Sequence, residues 1–229
     1  MSFMTAQTPH SQTLSRGIRA LESLADSTAP LTIAQVAAAL NVHRSIAYRI
    51  LRTLEDHGLV ARDRAGAFVL APKMASLARG VERDLQAATL PELTRIANDL
   101  TMTAFLVVLD GGECVTLSSV EPRAGATLAQ RPGTRHSLAV GAPGIAIQSL
   151  LGAYELAERG ITRRQLDGDA YATSHDEVIA GLRSVAVPLS VAGSPPAAIA
   201  VVYVSSERSV PEIGAVLAAA AAAIGHAGP

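Results

Sequence analysis

Leu14, Ile18, Leu21 and Ala25 recur at the spacing of one helical face, and Asp26-Ser27-Thr28-Ala29-Pro30 interrupts the pattern. A second helix opens at Thr32. There Thr32-Ile33-Ala34-Gln35 has the form of a capping box, in which hydroxyl and amide side chains satisfy free backbone N–H groups. Its apolar stripe is Ile33, Val36, Ala37 and Leu40. After a short turn at Asn41-Val42, a third helix is predicted from about His43 to His57, stopped by Gly58. Its face Ala47, Ile50, Leu51 and Leu54 is spaced to pack on the first two helices, while Ser45, Tyr48, Arg49 and Arg52 form an opposite polar, cationic stripe. Two short strands follow, Leu59 to Arg62 and Phe68 to Leu70, joined by Asp63-Arg64-Ala65-Gly66-Ala67. Three helices and a β-hairpin predict a winged helix-turn-helix over residues 13–71, preceded by a disordered tail, residues 1–12.

Met74, Leu77, Ala78, Val81 and Leu85 predict a linker helix over residues 72–90, which Pro91 ends before another from Glu92 to Leu100. Thr103 to Leu109 reads as a buried strand, Asp110-Gly111-Gly112 as a hairpin turn and Cys114 to Val120 as the returning strand. A second apolar hairpin joins Val185 to Val191 with Ala197 to Val204, and an alanine-rich helix runs from Glu212 to Ile224. Residues 91–229 are thus expected to form an α+β domain with an antiparallel sheet.

Composition narrows the function classes. The 229 residues are 49% apolar and 17% charged, which suits a folded chain of one large or two modest domains. The apolar stretch Ile213 to Ile224 falls short of the roughly 18 residues that span a bilayer, and no secretory signal is visible in the first sixteen residues. No membrane partner and a cytoplasmic location are expected. One cysteine, Cys114, excludes an internal disulfide and a multi-thiolate zinc site. Charge is unevenly spread: nine basic and five acidic side chains precede residue 81, and ten basic and fifteen acidic ones follow it. Such asymmetry points to a polyanion meeting the first part.

The third helix can enter a DNA major groove, with Arg44, Ser45, Tyr48 and Arg49 nearest the bases. His43, Arg52 and the wing arginines Arg62 and Arg64 are placed as phosphate contacts. A cationic stripe alone is more often an ordinary solvated face. Here it coincides with a capped preceding helix, a tight turn, a wing and local positive charge, and the combination favours DNA. Enzyme readings find no G-x-S-x-G elbow, P-loop or H-E-x-x-H. Ser174-His175-Asp176 has the residue types of a triad, but neighbours on a chain point apart. The six histidines lack ligand spacing, so no metal or cofactor is expected. Two stretches could receive a ligand. Leu138-Ala139-Val140-Gly141-Ala142-Pro143-Gly144 precedes an apolar helix, Ile145 to Leu151, whose free N–H groups favour an anion, though the glycines and proline equally suit a plain turn. Tyr171 to Glu177 is either a second ligand segment or an exposed loop.

The run Leu31-Thr32-Ile33-Ala34-Gln35-Val36-Ala37 through Tyr48-Arg49-Ile50-Leu51-Arg52-Thr53-Leu54 and Gly58-Leu59-Val60 resembles the DNA-binding domain of IclR-type transcriptional regulators. Leu14-Ser15-Arg16 with Ala20-Leu21 resembles that family's first helix and adds Arg16 to the DNA-facing set. Gly133 to Ala146 and Tyr171 to Pro188, with Glu177, Gly181 and Ala186-Val187-Pro188 in register, resemble its effector domain. The resemblance implies a homodimer, or a dimer of dimers, on a palindromic operator, and a GAF-like domain that binds a small organic acid. Carried over by position, Gly141, Ala142, Pro143 and Gly144 form the ligand loop, with Leu128, Ser174 and Ser184 lining the cavity and Glu177 close by. At Ser174 and Ser184 some relatives place an aspartate and a cysteine, which implies a different pocket polarity here. The family also carries more chain between Ala146 and Tyr171, so a cavity wall is expected to be missing or rebuilt.

The sequence therefore predicts a ligand-responsive DNA-binding regulator without catalytic residues. The alternatives are a winged-helix protein-interaction module and, furthest from the residues, a small-acid hydrolase.

Overall fold

The computed structural model describes residues 11–226 apart from 125–127, 129 and 169. The chain divides into two compact units, Met1–Val81 and Glu82–Pro229. Of the expected disordered tail, residues 1–10 lie outside the described residues. Ser11 and Gln12 are already ordered: the first helix, α1 (Gln12–Asp26), starts at Gln12, and the Ser11 hydroxyl caps it by accepting the Leu14 N–H at 3.4 Å.

In the first unit, α2 (Ile33–Ala39) is opened by the predicted capping box, with Gln35 N–H donating to Thr32 Oγ1 at 3.3 Å and Thr32 N–H to Gln35 Oε1 at 2.8 Å. Asn41 then takes a left-handed conformation (φ 51°), which asparagine tolerates better than most residues, and α3 (Arg44–Asp56) follows. The wing is a two-stranded antiparallel hairpin of β1 (Val60–Arg62) and β2 (Phe68–Leu70). Leu31 and Phe68 exchange backbone hydrogen bonds of 2.8 and 3.0 Å, which ties the wing to the segment before α2. Ala20, Leu24, Val36, Leu40, Ile50, Leu51, Val60 and Phe68 form the core. Each large side chain in it contributes roughly 1.5–3 kcal/mol by burial. This core fixes which side of α3 faces out.

The single helix expected over 72–90 is instead two. α4 (Lys73–Ala78) ends, Glu82 adopts φ 44°, and α5 (Arg83–Leu100) begins. No residue of α4 is buried, and Leu77 and Val81 are exposed, so periodicity alone did not suffice to keep the helix continuous. Pro91 does not end a helix but lies inside α5. It sits on the exposed side, where water can reach the carbonyl left without an N–H partner. Leu85, Leu93, Ile96, Ala97 and Leu100 hold the helix in the core on either side of it.

The second unit is built on a six-stranded antiparallel sheet with β3 (Thr103–Asp110), β4 (Glu113–Val120), β5 (Arg135–Ser137), β6 (Ala172–His175), β7 (Arg183–Leu189) and β8 (Ala197–Tyr203) in the order β5-β4-β3-β8-β7-β6. Alternate residues point to opposite faces. Leu106, Val187, Ile199 and Val201 lie under α5 and α8 (Val210–His226). Phe105, Val107, Ala186, Ala198 and Ala200 lie on the other face, under α6 (Gly141–Gln148), while α7 (Ala153–Glu158) adds Leu156 to the same cluster. The small alanines let α6 approach the sheet closely, and all eight of its residues are buried.

This corrects the loop expected at Gly141 to Gly144: those residues are the first turn of α6, which ends at Gln148 and not at Leu151. Val140, at the N-cap, offers no side-chain cap, so the local sequence carries no start signal. The cap comes from residues more than thirty positions away.

Candidate functional site

Two regions carry the candidate chemistry. On α3, Ala47, Ile50 and Leu51 are buried, and Arg44, Ser45, Tyr48, Arg49 and Arg52 are exposed, with Tyr48 45% accessible. His43 caps the helix: its Nδ1 accepts the Ser45 N–H at 3.3 Å and lies 2.9 Å from Ser45 Oγ. His43 and Ser45 are therefore engaged with each other at the start of the helix. Arg44, Arg49 and Arg64 form no ion pair among the described residues. Arg16 on α1 lines the same groove as Arg49, between α1 and α3. At the wing tip, Asp63 Oδ1 accepts the N–H groups of Ala65 (2.9 Å) and Ala67 (2.8 Å), an Asx turn that leaves Arg64 exposed.

Two arginines expected at phosphates are partnered within the protein. Arg62 Nε donates to Glu55 Oε1 at 3.1 Å, and its guanidinium lies 4.4 Å from the centre of the Phe68 ring. Arg52 pairs with Asp56 at 3.2 Å, one turn along α3. The Arg52 pair is exposed and costs little to exchange for a phosphate. Arg62 is held from two sides, by Glu55 and by the Phe68 ring.

In the second unit, the N–H groups at the start of α6 are already satisfied. Gly141 N–H donates to Glu177 Oε2 at 2.9 Å and Ala142 N–H to Ser174 Oγ at 2.9 Å. Arg164 grips the same carboxylate with two hydrogen bonds, Nη1 to Oε2 at 2.6 Å and Nη2 to Oε1 at 2.8 Å. The Arg164 guanidinium holds the Glu177 carboxyl below its ordinary range, with the Gly141 N–H helping and burial opposing. Gln148, fully buried, positions the arginine's backbone: its Nε2 donates to Leu138 O at 2.8 Å, and its Oε1 accepts the Arg164 N–H at 2.9 Å. The chain after α6 runs through α7, which packs Leu156 into the apolar cluster, and returns to Arg164 anchored on Gln148.

A cavity of about 50 Å³ lies beside this cluster, lined among others by Phe105, His136, Gly141, Pro143, Val178 and Ser184. That is room for only a few water molecules. Of the expected ligand loop, Gly141 and Pro143 face the cavity, whereas Ala142 and Gly144 do not line it. Gly141 has φ 79°, and a Cβ there would lie 2.8 Å from the Val178 side chain. At Gly144 a Cβ would lie 2.7 Å from the Leu138 carbonyl oxygen. The second glycine is required by close packing of the helix on backbone. Leu128 also lies off the cavity: its backbone bonds the Thr103 hydroxyl, and its side chain packs into the apolar cluster beneath α6. Ser184 lines the cavity while its Oγ donates to Val201 O at 2.8 Å.

Arg164, Phe105 and His136 were not singled out in the sequence. Phe105 sits in a strand indistinguishable from core, and Arg164 reaches the site only through tertiary contacts. Burial pulls His136 below its usual pKa and favours a neutral ring, against the opposing pull of its hydrogen bonds to the backbone of Ser137 and Val140. Ser174, His175 and Asp176 do not converge: Ser174 caps α6, and His175 meets Asp176 at 3.5 Å in an exposed contact. Cys114 is buried, and burial pushes its thiol up to about 12. Among the described residues, no group of His, Cys, Asp or Glu could hold a metal ion, and no helix is long and apolar enough to cross a membrane.

Residues 13–64 match the family model of the IclR helix-turn-helix domain. The HTH-type transcriptional regulator Rv1719 of Mycobacterium tuberculosis is 31% identical over 112 residues, 48% of this chain and 43% of that protein, so that alignment spans less than half of the relative. The HTH-type transcriptional regulator XynR of Escherichia coli K12 is 26% identical over 204 residues, 79% of this chain and 81% of XynR. Among solved structures, the IclR of Thermotoga maritima superposes with a TM-score of 0.73 at 22% identity, covering 95% of this chain and 98% of that one. An IclR homologue from Microbacterium hydrocarbonoxydans, complexed with 4-hydroxybenzoate, superposes with a TM-score of 0.79 at 18% identity, covering 94% and 98%. Residues 13–64 thus carry an IclR helix-turn-helix domain, and the fold along nearly all of the chain is that of solved IclR structures.

Proposed function

We propose that the chain is a ligand-responsive regulator that reads a palindromic operator as a homodimer or a dimer of dimers. Residues 13–71 bind DNA: Arg44, Ser45, Tyr48 and Arg49 meet base edges, while His43, Arg16, Arg52 and the wing-tip Arg64 meet phosphates. Arg62 acts mainly by holding the wing to α3 through Glu55. The observation that carries this reading is the outward face of α3, where Arg44 and Arg49 stand exposed without ion-pair partners among the described residues while Ile50 and Leu51 lock the opposite side into the core.

Residues 91–229 bind the effector, a small organic acid, on the α6 side of the sheet. Support comes from the donor groups gathered at the start of α6 and from the relative whose structure holds 4-hydroxybenzoate. Effector binding biases the dimer between geometries of unequal operator affinity. A gel-shift titration of a Tyr48→Ala, Arg49→Ala variant tests the DNA assignment, and unchanged specific affinity rejects it. Salt dependence adds a second reading, because phosphate contacts release counterions and make the slope steep. A thermal-shift screen of small carboxylates tests the effector class, since a ligand at a hundred times its dissociation constant adds about 2.7 kcal/mol.

A further inference from the structure

One loop covers part of the half-open cavity of about 50 Å³ at the start of α6, and a wider, shallower hollow lies beyond it along Arg164, Ser174 and Ser184. The seven residues 176–182 join β6 to β7 at the edge of the sheet, and they carry Glu177 and Val178 over the start of α6. Both shoulders of this loop are left-handed, Asp176 at φ 60° and Gly181 at φ 81°, and the Gly181 N–H donates back to Asp176 Oδ1. Val178 and Ile179 border the cavity yet are 47% and 50% exposed, so little apolar burial holds the tip of the loop, whereas Leu182 at its end packs into the cluster beneath α6. The tip is held by one carboxylate. Glu177 accepts the Gly141 N–H and both Arg164 hydrogen bonds, joining the loop to α6 and to the chain that returns from α7 at once.

Ligand pockets for drug-sized molecules are commonly roughly 300–1,000 Å³, several times the 50 Å³ present here. An aromatic or branched acid therefore fits between the loop and the start of α6 only if the loop moves. Building on the effector reading given under Proposed function, we propose that Glu177 is an internal latch. Its carboxylate clamps the β6–β7 loop shut over the cavity, and effector entry requires the Glu177–Arg164 pair to open. The closed form is thus self-inhibited, with the protein's own carboxylate bonded to the α6 N–H and the guanidinium. A carboxylate effector gains most by taking over those donors once the loop has swung away.

The test uses the full chain, the latch variants Glu177→Gln and Arg164→Ala, and 4-hydroxybenzoate and benzoate as probes. Glu177→Gln keeps the side-chain shape and can still accept from Gly141, so it remains usable if Arg164→Ala folds poorly. Amide hydrogen exchange of residues 176–182 reads the latch without any ligand. Acceleration of at least about tenfold in Glu177→Gln, the size expected for one charge-assisted hydrogen bond, supports the latch, and unchanged exchange overturns it. Calorimetric titration separates the latch from the effector reading. Tighter probe binding by Glu177→Gln than by the unaltered chain supports both. Probe binding that is equal in the two, with unchanged exchange, overturns the latch and leaves the effector reading standing. Faster exchange without binding of either probe supports the latch and counts against aromatic carboxylates as effectors.

Discussion

Replacing Arg49 with alanine isolates the central assumption about α3. The side chain is exposed and forms no ion pair among the described residues, so its removal leaves no buried charge behind and fold stability should shift by no more than about 0.5 kcal/mol. Its neighbours on the buried side, Ile50 and Leu51, are untouched. A bidentate arginine–guanine contact is worth roughly 1–3 kcal/mol, so operator affinity should fall about 5- to 150-fold per half-site. The duplex for the assay is one selected by the unaltered chain from a random pool, with binding read by fluorescence anisotropy at two salt concentrations. Arg52→Ala serves as the contrast, because a phosphate contact carries no base information and its loss should leave sequence preference unchanged. If Arg49→Ala combined with Tyr48→Ala binds the selected duplex as tightly as the unaltered chain, the outward face of α3 is not what reads the DNA. If affinity falls while the melting temperature falls in proportion, the effect is one of folding and the argument fails equally.

Further outcomes can be checked separately. Arg64→Ala at the wing tip should lower the slope of log affinity against log salt by about 0.9 for each DNA phosphate the protein no longer neutralises, with sequence preference unchanged, as read by anisotropy over a salt series. Glu177 has a native pKa held below its ordinary value of 4.5 by Arg164 and the Gly141 N–H. Its contribution is therefore complete above that ordinary value and is lost as pH falls through the lowered native one. Melting curves between neutral and acidic pH should show a steeper acid loss for the unaltered chain than for Glu177→Gln, and parallel curves would contradict the assignment. The Cys114 thiol, buried and pushed up to about 12, should resist alkylation at neutral pH until the chain is unfolded, as followed by mass spectrometry. Gly144→Ala should destabilise the second unit by about 1–3 kcal/mol through overpacking, because its methyl would meet the Leu138 carbonyl oxygen at 2.7 Å. Urea denaturation measures this directly.

The first unit was nearly all legible in the sequence, because its signals are local. The Thr32–Gln35 box, the turn at Asn41 and the two faces of α3 each depend on residues within a few positions of one another. The hairpins of the second unit were legible for the same reason. What could not be read was fixed from a distance. The start of α6 is capped by Ser174 and Glu177, so the chain around Gly141 looked like a loop. Pro91 is a strong local breaker, yet tertiary burial of Leu93 and Ile96 carries the helix through it. Arg164 gave no sign of its role, since an isolated arginine in a short polar segment acquires a partner only when the fold brings Glu177 to it.

The buried amide of Gln148 has a consequence for how this protein can change over time. Its two hydrogen bonds fix the far end of α6 and the arrival point of the returning chain at Arg164. Between these anchors, the loop containing α7 can gain or lose residues in descendants of this gene without disturbing the guanidinium, provided the chain still returns to the same amide and Leu156 or an equivalent still covers the apolar cluster. Length variation is permitted there, and the glutamine is the residue that makes it harmless.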